Sequence, residues 1–589
     1  MKTFLMSLLG TLVALLLFLI VLPMVLIGIF SGMAASNASK MAPKTIVLEI
    51  DLREDFADQP ASEGLAVVFQ QNSFLDILTK LDAAATDDRV KGIYVRASEF
   101  GVGSARAEEL RSAFLKLKAN DKFIIAHSQG MMGSGPSSLR SISAADEIWL
   151  QPGADVMVNG VVFETLFMKD LFDNLSVKAE IEQFHEYKNA PNVYKETDYT
   201  EPHREAMTTL AEDIWSVSLE DIAADRGFAS TGALRTLLES GPLSPADAVE
   251  AGLVDGLKWP EGASELAVER AGSKAGLVPI VQYTPPLKGL GAPLIAVIGG
   301  EGPIVTGPGE QGLFENSAVF ASDRIARAIL DAGKNENVRA IVFRVDSPGG
   351  SAIASDQIWR AVQRVREDMG KPVVVSMGGV AASGGYYVSA GADAIYANRT
   401  TITGSIGVYG GKFAIADGLR RLGINPSSIV VGGEFADAFT TESFSEAERA
   451  QLHASLERTY DRFMEIVATG RDMPEDRVRE IAKGRVWSGD DAAELNLVSE
   501  IGGYMAAIDK ARELAGIDAE TDVRTQIFPI PENPFEAFGD IFGASAETAE
   551  AAARLNAIMS DEKFEAVLQQ TFAVQNGETQ LRSPIMIER

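Results

Sequence analysis

Val338-Arg339-Ala340-Ile341-Val342-Phe343-Arg344-Val345-Asp346-Ser347-Pro348-Gly349-Gly350-Ser351 packs a strand, a turn and a helix start into one stretch. Ile341 to Val345 is an apolar, β-branched run of the length of a buried strand. Pro348-Gly349-Gly350 ends it with a turn, because proline fixes φ and glycine accepts backbone angles that other residues avoid. From Ile353 to Asp368 the apolar residues recur at helical spacing, so the turn feeds an amphipathic helix. Pro372–Ser376 predicts the next strand, and a further helix is expected from Ser383. This alternation implies parallel strands joined by crossover helices, an α/β fold with a mostly parallel sheet.

The same unit occurs twice. Val90-Lys91-Gly92-Ile93-Tyr94-Val95-Arg96 resembles Val338–Arg344 and lies 248 residues earlier. Lys122–Gly130 resembles Lys371–Gly379 at an offset of 249, Ala145–Leu150 resembles Ala392–Ala397 at 247, and Ala248–Val254 resembles Ala492–Val498 at 244. So constant an offset marks a tandem duplication. The copies open at the runs Thr45–Leu48 and Leu294–Ile298, and Pro285 to Pro293 has the Pro and Gly content of a linker. The expected organisation is a first repeat over 41–284, a linker over 285–293 and a second repeat over 294–528. Residues 529–589 lose the alternation and read as a tail with one helix, Ser545–Met559, capped by Ser545.

Residues 1–40 are of another kind. No charge falls between Thr3 and Ser39, and the 27 residues from Phe4 to Phe30 are almost wholly apolar. About 20 such residues span a bilayer, whereas the apolar part of a cleaved signal peptide is about 7–15 long. The stretch therefore reads as a single N-terminal transmembrane anchor. Lys2 before it and Lys40 and Lys44 after it leave its orientation undecided by charge.

Composition narrows the rest. A net charge of −29 opposes the phosphate neutralisation on which nucleic-acid binding depends. Cysteine is absent, which removes thiol nucleophiles, thiolate metal sites and disulfides. The four histidines, His127, His185, His203 and His453, lack the spacing of helical metal ligands. Gly307–Gly312 fits GxGxxG but contains Pro308 and opens no helix, and Gly333-Lys334, Gly370-Lys371 and Gly411-Lys412 are not followed by Ser or Thr. No cofactor and no metal are expected.

Three motifs in the second copy carry chemistry. Asp346–Ser351 is a glycine turn whose backbone N–H groups can approach a ligand, and it is equally a tight strand-to-helix connection. Ala381-Ala382-Ser383-Gly384-Gly385-Tyr386 places a serine where a helix begins. That serine is either an N-cap or a nucleophile with the Gly384 N–H beside it. Thr403-Gly404-Ser405-Ile406-Gly407 is by composition another turn. Comparison of the copies separates these readings. The first copy has no glycine pair around Ala97–Val102 and reads Gly133-Ser134-Gly135-Pro136-Ser137 where the second has Ser383. Conversely, His185–Ala190 aligns with Gly433–Ala438, so Lys188 faces Ala436. One copy keeps a candidate nucleophile and the other a candidate base.

Asp346–Ser351, Ala381–Tyr386, Thr403–Gly407 and Tyr187-Lys188-Asn189-Ala190 together resemble signal peptide peptidase A of the long, duplicated bacterial type. The resemblance runs from the anchor to about Gly503. It implies two tandem repeats of the fold shared by Clp protease and crotonases, and a Ser/Lys-dyad peptidase of the bacterial inner membrane. By that resemblance Ser383 is the nucleophile, Lys188 the general base and Ser405 the residue orienting the lysine. Gly384 and Gly349 would donate to the oxyanion, with Gly350 the other candidate for the second bond. The implied substrates are cleaved signal peptides and similar apolar peptides, the implied assembly is a homotetramer, and the catalytic body is expected in the periplasm. Tyr194-Lys195 is a rival Tyr-Lys pair without the aligned partner. The alternatives are a crotonase-type acyl-CoA enzyme, which would need a catalytic carboxylate, and a catalytically inactive membrane scaffold.

Overall fold

A computed structural model describes residues 44–60, 73–133, 135–272, 274–286, 289, 291–309 and 319–530. The expected anchor and the expected tail helix lie outside these residues. Among the described residues, no helix is long and apolar enough to cross a membrane.

Two sheets carry the fold, and they repeat one strand order. The first runs Gly256–Leu257, Glu147–Leu150, Phe123–Ser128, Val90–Arg96, Ile46–Asp51, Gly276–Pro279, every pair parallel. In the second, Glu500–Ile501, Ala394–Ala397, Val373–Ala382, Val338–Ser347, Leu294–Val305 and Arg524–Phe528 pair in the same succession. The second sheet adds Ile402–Gly404, parallel to the end of Val373–Ala382, and Val486–Ser488, antiparallel to it in turn. Parallel strands are covered on both faces, so they are apolar at nearly every position. In the first sheet Leu48, Ile93 and Ile124 face the main core, while Val47, Tyr94 and Ile125 pack on Ala263 and Ala267 of the helix Pro260–Ala271.

The repeats share more than a linker. Val297, Val342 and Val374 of the second sheet belong to the same apolar cluster as Leu48, Ile93 and Leu110 of the first repeat. Arg344, 1% exposed, reaches across to Asp58 through two bonds of 2.9 and 3.0 Å and to Glu109 at 2.7 Å. Arg399 bonds Asp221 at 2.5 Å and Glu108 at 3.3 Å. A third, two-stranded sheet is made by one strand from each repeat: Lys178–Phe184 runs antiparallel to Val408–Ala414, with Phe184 opposite Val408.

The strand expected at Pro372–Ser376 is longer than its apolar run. It continues through Met377–Ala382, where small residues keep the ladder with Ile402–Gly404 and carry the backbone directly to Ser383.

Candidate active site

Ser383 follows the last residue of Val373–Ala382 and precedes the helix Gly384–Ser389, yet its side chain makes no capping bond. Its backbone is left-handed, with φ 55° and ψ −116°. That conformation costs a residue other than glycine about 1–3 kcal/mol and persists where neighbours enforce it. The Ser383 N–H donates to the Gly404 carbonyl at 2.8 Å, and the Ser383 carbonyl accepts from Tyr387 at 2.9 Å. The hydroxyl is thereby held off the helix and is free to face the other repeat.

Gly349 has φ +99°, and a Cβ there would lie 2.7 Å from the Gly384 nitrogen and 2.8 Å from the Ser383 Cβ. Only glycine lets the Pro348–Gly350 turn close so near the serine. The Gly349 N–H donates to Ser347 Oγ at 3.1 Å. The Gly349 carbonyl and the Ser351 N–H both bond Ile304 at 2.9 Å. In a parallel ladder this turns the intervening Gly350 N–H away from Ile304, and a Cβ on Gly384 would sit 3.1 Å from that nitrogen.

Lys188 arrives from the first repeat. The Lys178–Phe184 strand, registered on Val408–Ala414, delivers the loop after it to the Ser405–Gly407 turn. Lys188 Nζ lies 2.9 Å from Ser383 Oγ, 2.9 Å from the Ser405 carbonyl and 3.0 Å from Ser405 Oγ. The residue is 3% exposed. Burial, with no carboxylate to offset it, pushes the ammonium down to about 7, so the free amine is well populated at neutral pH.

Sequence reading gave Ala482–Trp487 no role, but it seats both loops. The Lys483 carbonyl accepts from the His185 and Tyr187 N–H groups, each at 3.2 Å, and the Gly484 N–H donates to Ile406 at 2.8 Å. The Arg485 carbonyl accepts the Ser405 N–H at 2.6 Å. A Cβ on Gly484, φ +84°, would fall 2.6 Å from Lys188 Cα. Backbone bonds of this kind leave no residue signature, and a lone glycine before an arginine is the only trace.

The remaining candidates fall elsewhere. Lys195 Nζ donates to the Ile181 carbonyl and to Gln183 Oε1, both at 3.1 Å, and bolts its own turn to the strand. The His185 ring packs edge-on against Tyr460, 5.0 Å between centroids. In the first repeat the matching short helix is Ser137–Arg140, and the residue before it is Pro136. Asp346, buried and pushed up by burial and by Asp58, accepts the Val380 N–H at 3.0 Å, so its carboxyl is spent on the strand. Beside that strand a cavity of about 170 Å³ has an apolar wall that includes Phe163, Ile214 and Ile402 and a polar one that includes Arg106, Asp346 and Thr400.

A buried lysine on a strained serine, beside a glycine turn, is the arrangement of a hydrolase that proceeds through an acyl-enzyme. The description Peptidase family S49 matches residues 116–274 and 365–518, one segment in each repeat. The chain belongs to peptidase family S49. Protease 4 of Salmonella typhi is 31% identical over 464 residues, 76% of this chain and 72% of that one. Protease 4 of Haemophilus influenzae is 30% identical, over 77% and 74%. The chloroplastic serine protease SPPA of Arabidopsis thaliana is 29% identical, over 80% and 70%. As a member of S49, the chain is a serine peptidase.

Proposed function

We propose that this S49 peptidase is a membrane-tethered endopeptidase that degrades cleaved signal peptides and similar apolar peptides, with Ser383 as nucleophile and Lys188 as general base. The observation that carries the reading is the 2.9 Å contact between Lys188 Nζ and Ser383 Oγ in a site that holds the amine near neutrality. Ser405 takes two of the lysine's N–H bonds, through its carbonyl and its hydroxyl, and leaves the nitrogen lone pair for the serine proton. As Oγ attacks the scissile carbonyl, its proton passes to Nζ, and the carbonyl oxygen takes up negative charge. The N–H of Gly384 meets that charge with one from the 349–350 pair, of which Gly350 is the one not held by Ser347. The lysine then protonates the leaving amine, and water, deprotonated by the same lysine, releases the acyl group.

The apolar wall of the cavity beside Val380, made by residues such as Phe163, Ile214 and Ile402, supports apolar substrates, since burying apolar area is worth about 25 cal/mol per Å². An acyl-CoA enzyme would require a carboxylate at the reacting atoms, whereas Asp346 is turned to the backbone. The Clp/crotonase-like reading rests on the doubled parallel sheet with a glycine turn and a serine at adjoining strand ends. Fluorophosphonate labelling of Ser383, followed by turnover of apolar peptides, tests the function; labelling absent from wild type and Ser383→Ala alike would end it.

Assembly and placement belong to the same proposal: a homotetrameric ring, anchored by residues 4–30 in the bacterial inner membrane, its body in the periplasm. Internal symmetry supports the ring. By the offset of 248 the counterpart of Lys178–Phe184 in the second repeat is the stretch at 426–432, where Ile429 is 98% and Val431 91% exposed. The counterpart of Val408–Ala414 in the first is 161–167, with Val162 and Leu166 exposed. One version of the strand pair is filled within the chain; a head-to-tail neighbour would fill the other. Light scattering that gives monomer alone would refute the ring, and protection of the body from protease in spheroplasts would reverse the topology.

A further inference from the structure

We propose that Arg485 is a positioning residue of the dyad, the side chain that docks the lysine loop of the first repeat onto the serine-bearing repeat and closes it to water. The inference rests on the Ser383–Lys188 reading above.

Three contacts converge on this one residue. Its guanidinium makes a two-pronged bond to Glu205, at 2.5 and 2.8 Å, on the helix Glu201–Arg226 of the first repeat. The same group lies between two rings, 5.1 Å from Tyr187 and 4.2 Å from Trp487. Tyr187 is the residue before the lysine, and Trp487 lies on the strand that pairs with Ile402–Gly404. Its carbonyl, meanwhile, holds the N–H of Ser405, whose φ is 50°. Arg485 thus touches the base-bearing loop through its side chain and the lysine-orienting serine through its backbone. A planar fork that pairs with a carboxylate and stacks on aromatics suits this place, and lysine would supply only the charge.

The arrangement does more than add stability. Glu205 is 46% exposed, and a pair that open to solvent is worth little by itself. The role of the guanidinium on this proposal is to hold Tyr187, the residue before the lysine, in place and so keep water from the buried amine. The other charged groups around the loop are matched: Glu186 pairs with Lys483 at 3.0 Å, and Glu205 with Arg485. His185 packs on Tyr460. Exclusion of water is therefore the lever on Lys188, and loosening Tyr187 would let the ammonium re-form.

The test uses purified full-length protein and an apolar peptide substrate, with kcat and KM measured across neutral pH. In Arg485→Met the acid limb of kcat should move up by about one pH unit, which by the free-amine fraction alone lowers kcat at pH 7 about fivefold. KM should hardly change, and fluorophosphonate labelling of Ser383 should slow in parallel. Arg485→Lys should restore part of the loss, and Glu205→Gln should shift the limb the same way by less. A purely structural arginine would lower the melting temperature and leave the acid limb in place. That result, or a change confined to KM, overturns the proposal. If Arg485→Met does not fold, Glu205→Gln is read by the same two criteria. Lys188→Ala, run beside them, separates the readings. A dead Lys188→Ala with an unmoved limb in the Arg485 and Glu205 variants removes the positioning role alone. An active Lys188→Ala removes the dyad and this inference with it.

Discussion

Replacing Lys188 with methionine should abolish turnover and yet stabilise the protein near neutral pH. Burial pushes the Lys188 ammonium down to about 7 in the folded chain, while unfolding returns it to about 10.4. At about 1.4 kcal/mol per pH unit, the folded state carries a cost of about 4–5 kcal/mol at pH 7. The sign follows from the protons bound. Between pH 7 and 10.4 the unfolded chain holds one proton more, so wild-type stability rises with pH through that window, and the cost is complete below it. Methionine does not titrate and escapes the cost. It forfeits the Nζ bonds to Ser383 Oγ, the Ser405 carbonyl and Ser405 Oγ, each worth about 1 kcal/mol. The variant should therefore be more stable than wild type by about 1–2 kcal/mol at pH 7, level near pH 8, and less stable by about 2 kcal/mol at pH 10. Denaturant unfolding of both proteins in detergent, followed by tryptophan fluorescence at several pH values, measures the difference. A difference that does not change with pH would refute the argument, because it would mean the lysine titrates alike in both states.

Ser383→Ala and Lys188→Ala should each remove nearly all activity, and the double variant should lose little more, since the pair acts as a unit; Lys195→Ala should stay close to wild type, its amine being bound to Ile181 and Gln183, and peptide turnover reads all four. Gly349→Ala should fold but lose about 10²-fold or more in kcat, because its Cβ must displace the turn from the Gly384 nitrogen 2.7 Å away. Asp58→Ala should destabilise by about 3–5 kcal/mol, seen as a lowered unfolding midpoint, because it removes the two-pronged partner of the buried Arg344 guanidinium and leaves Glu109 as its one carboxylate.

The doubled sheet was legible because a buried parallel strand has no freedom of composition. Val90–Arg96 and Val338–Arg344 share one pattern, an exposed charge at the second position followed by a buried apolar run that ends at an arginine, so the offset between them survives other divergence. Lys188 stood out as a candidate base by subtraction, as a lysine aligned to Ala436 in a repeat that lacks the other repeat's serine, while its 2.9 Å contact with Ser383 Oγ had no trace in the sequence. The left-handed backbone of Ser383 was not legible, since the same residue before a helix is ordinarily a cap. Nor was Met377–Ala382 as strand, because glycine and alanine give no β signal and it is the ladders with Val338–Ser347 and Ile402–Gly404 that hold them extended. The pairing of Lys178–Phe184 with Val408–Ala414 joins residues about 230 positions apart through backbone bonds, which any sequence of suitable polarity could make.

That pairing explains how the proposed dyad can be divided between the repeats. Neither repeat contains both groups, so the distance between Nζ and Oγ is set by how one repeat sits on the other. Apolar packing alone leaves such a fit loosely specified, since it has little directional preference. Buried Arg344 and half-buried Arg399 supply direction. Arg344 must meet Asp58 and Glu109, and Arg399 must meet Glu108 and Asp221, or charges are left in the interior without partners. Even so, an interface angle correct to a few degrees shifts a side chain at its rim by an ångström, enough to cost a catalytic group much of its effect. The final register is therefore fixed locally. Lys178–Phe184 locks onto Val408–Ala414 on one side of the lysine, and Lys483, Gly484 and Arg485 bind the lysine loop and the Ser405 turn on the other. Coarse docking by buried charge and fine docking by backbone bonds are separable, and they should fail separately. Loss of Asp58 should unfold the interface, whereas loss of Arg485 should leave it standing with a lysine that holds its proton too tightly.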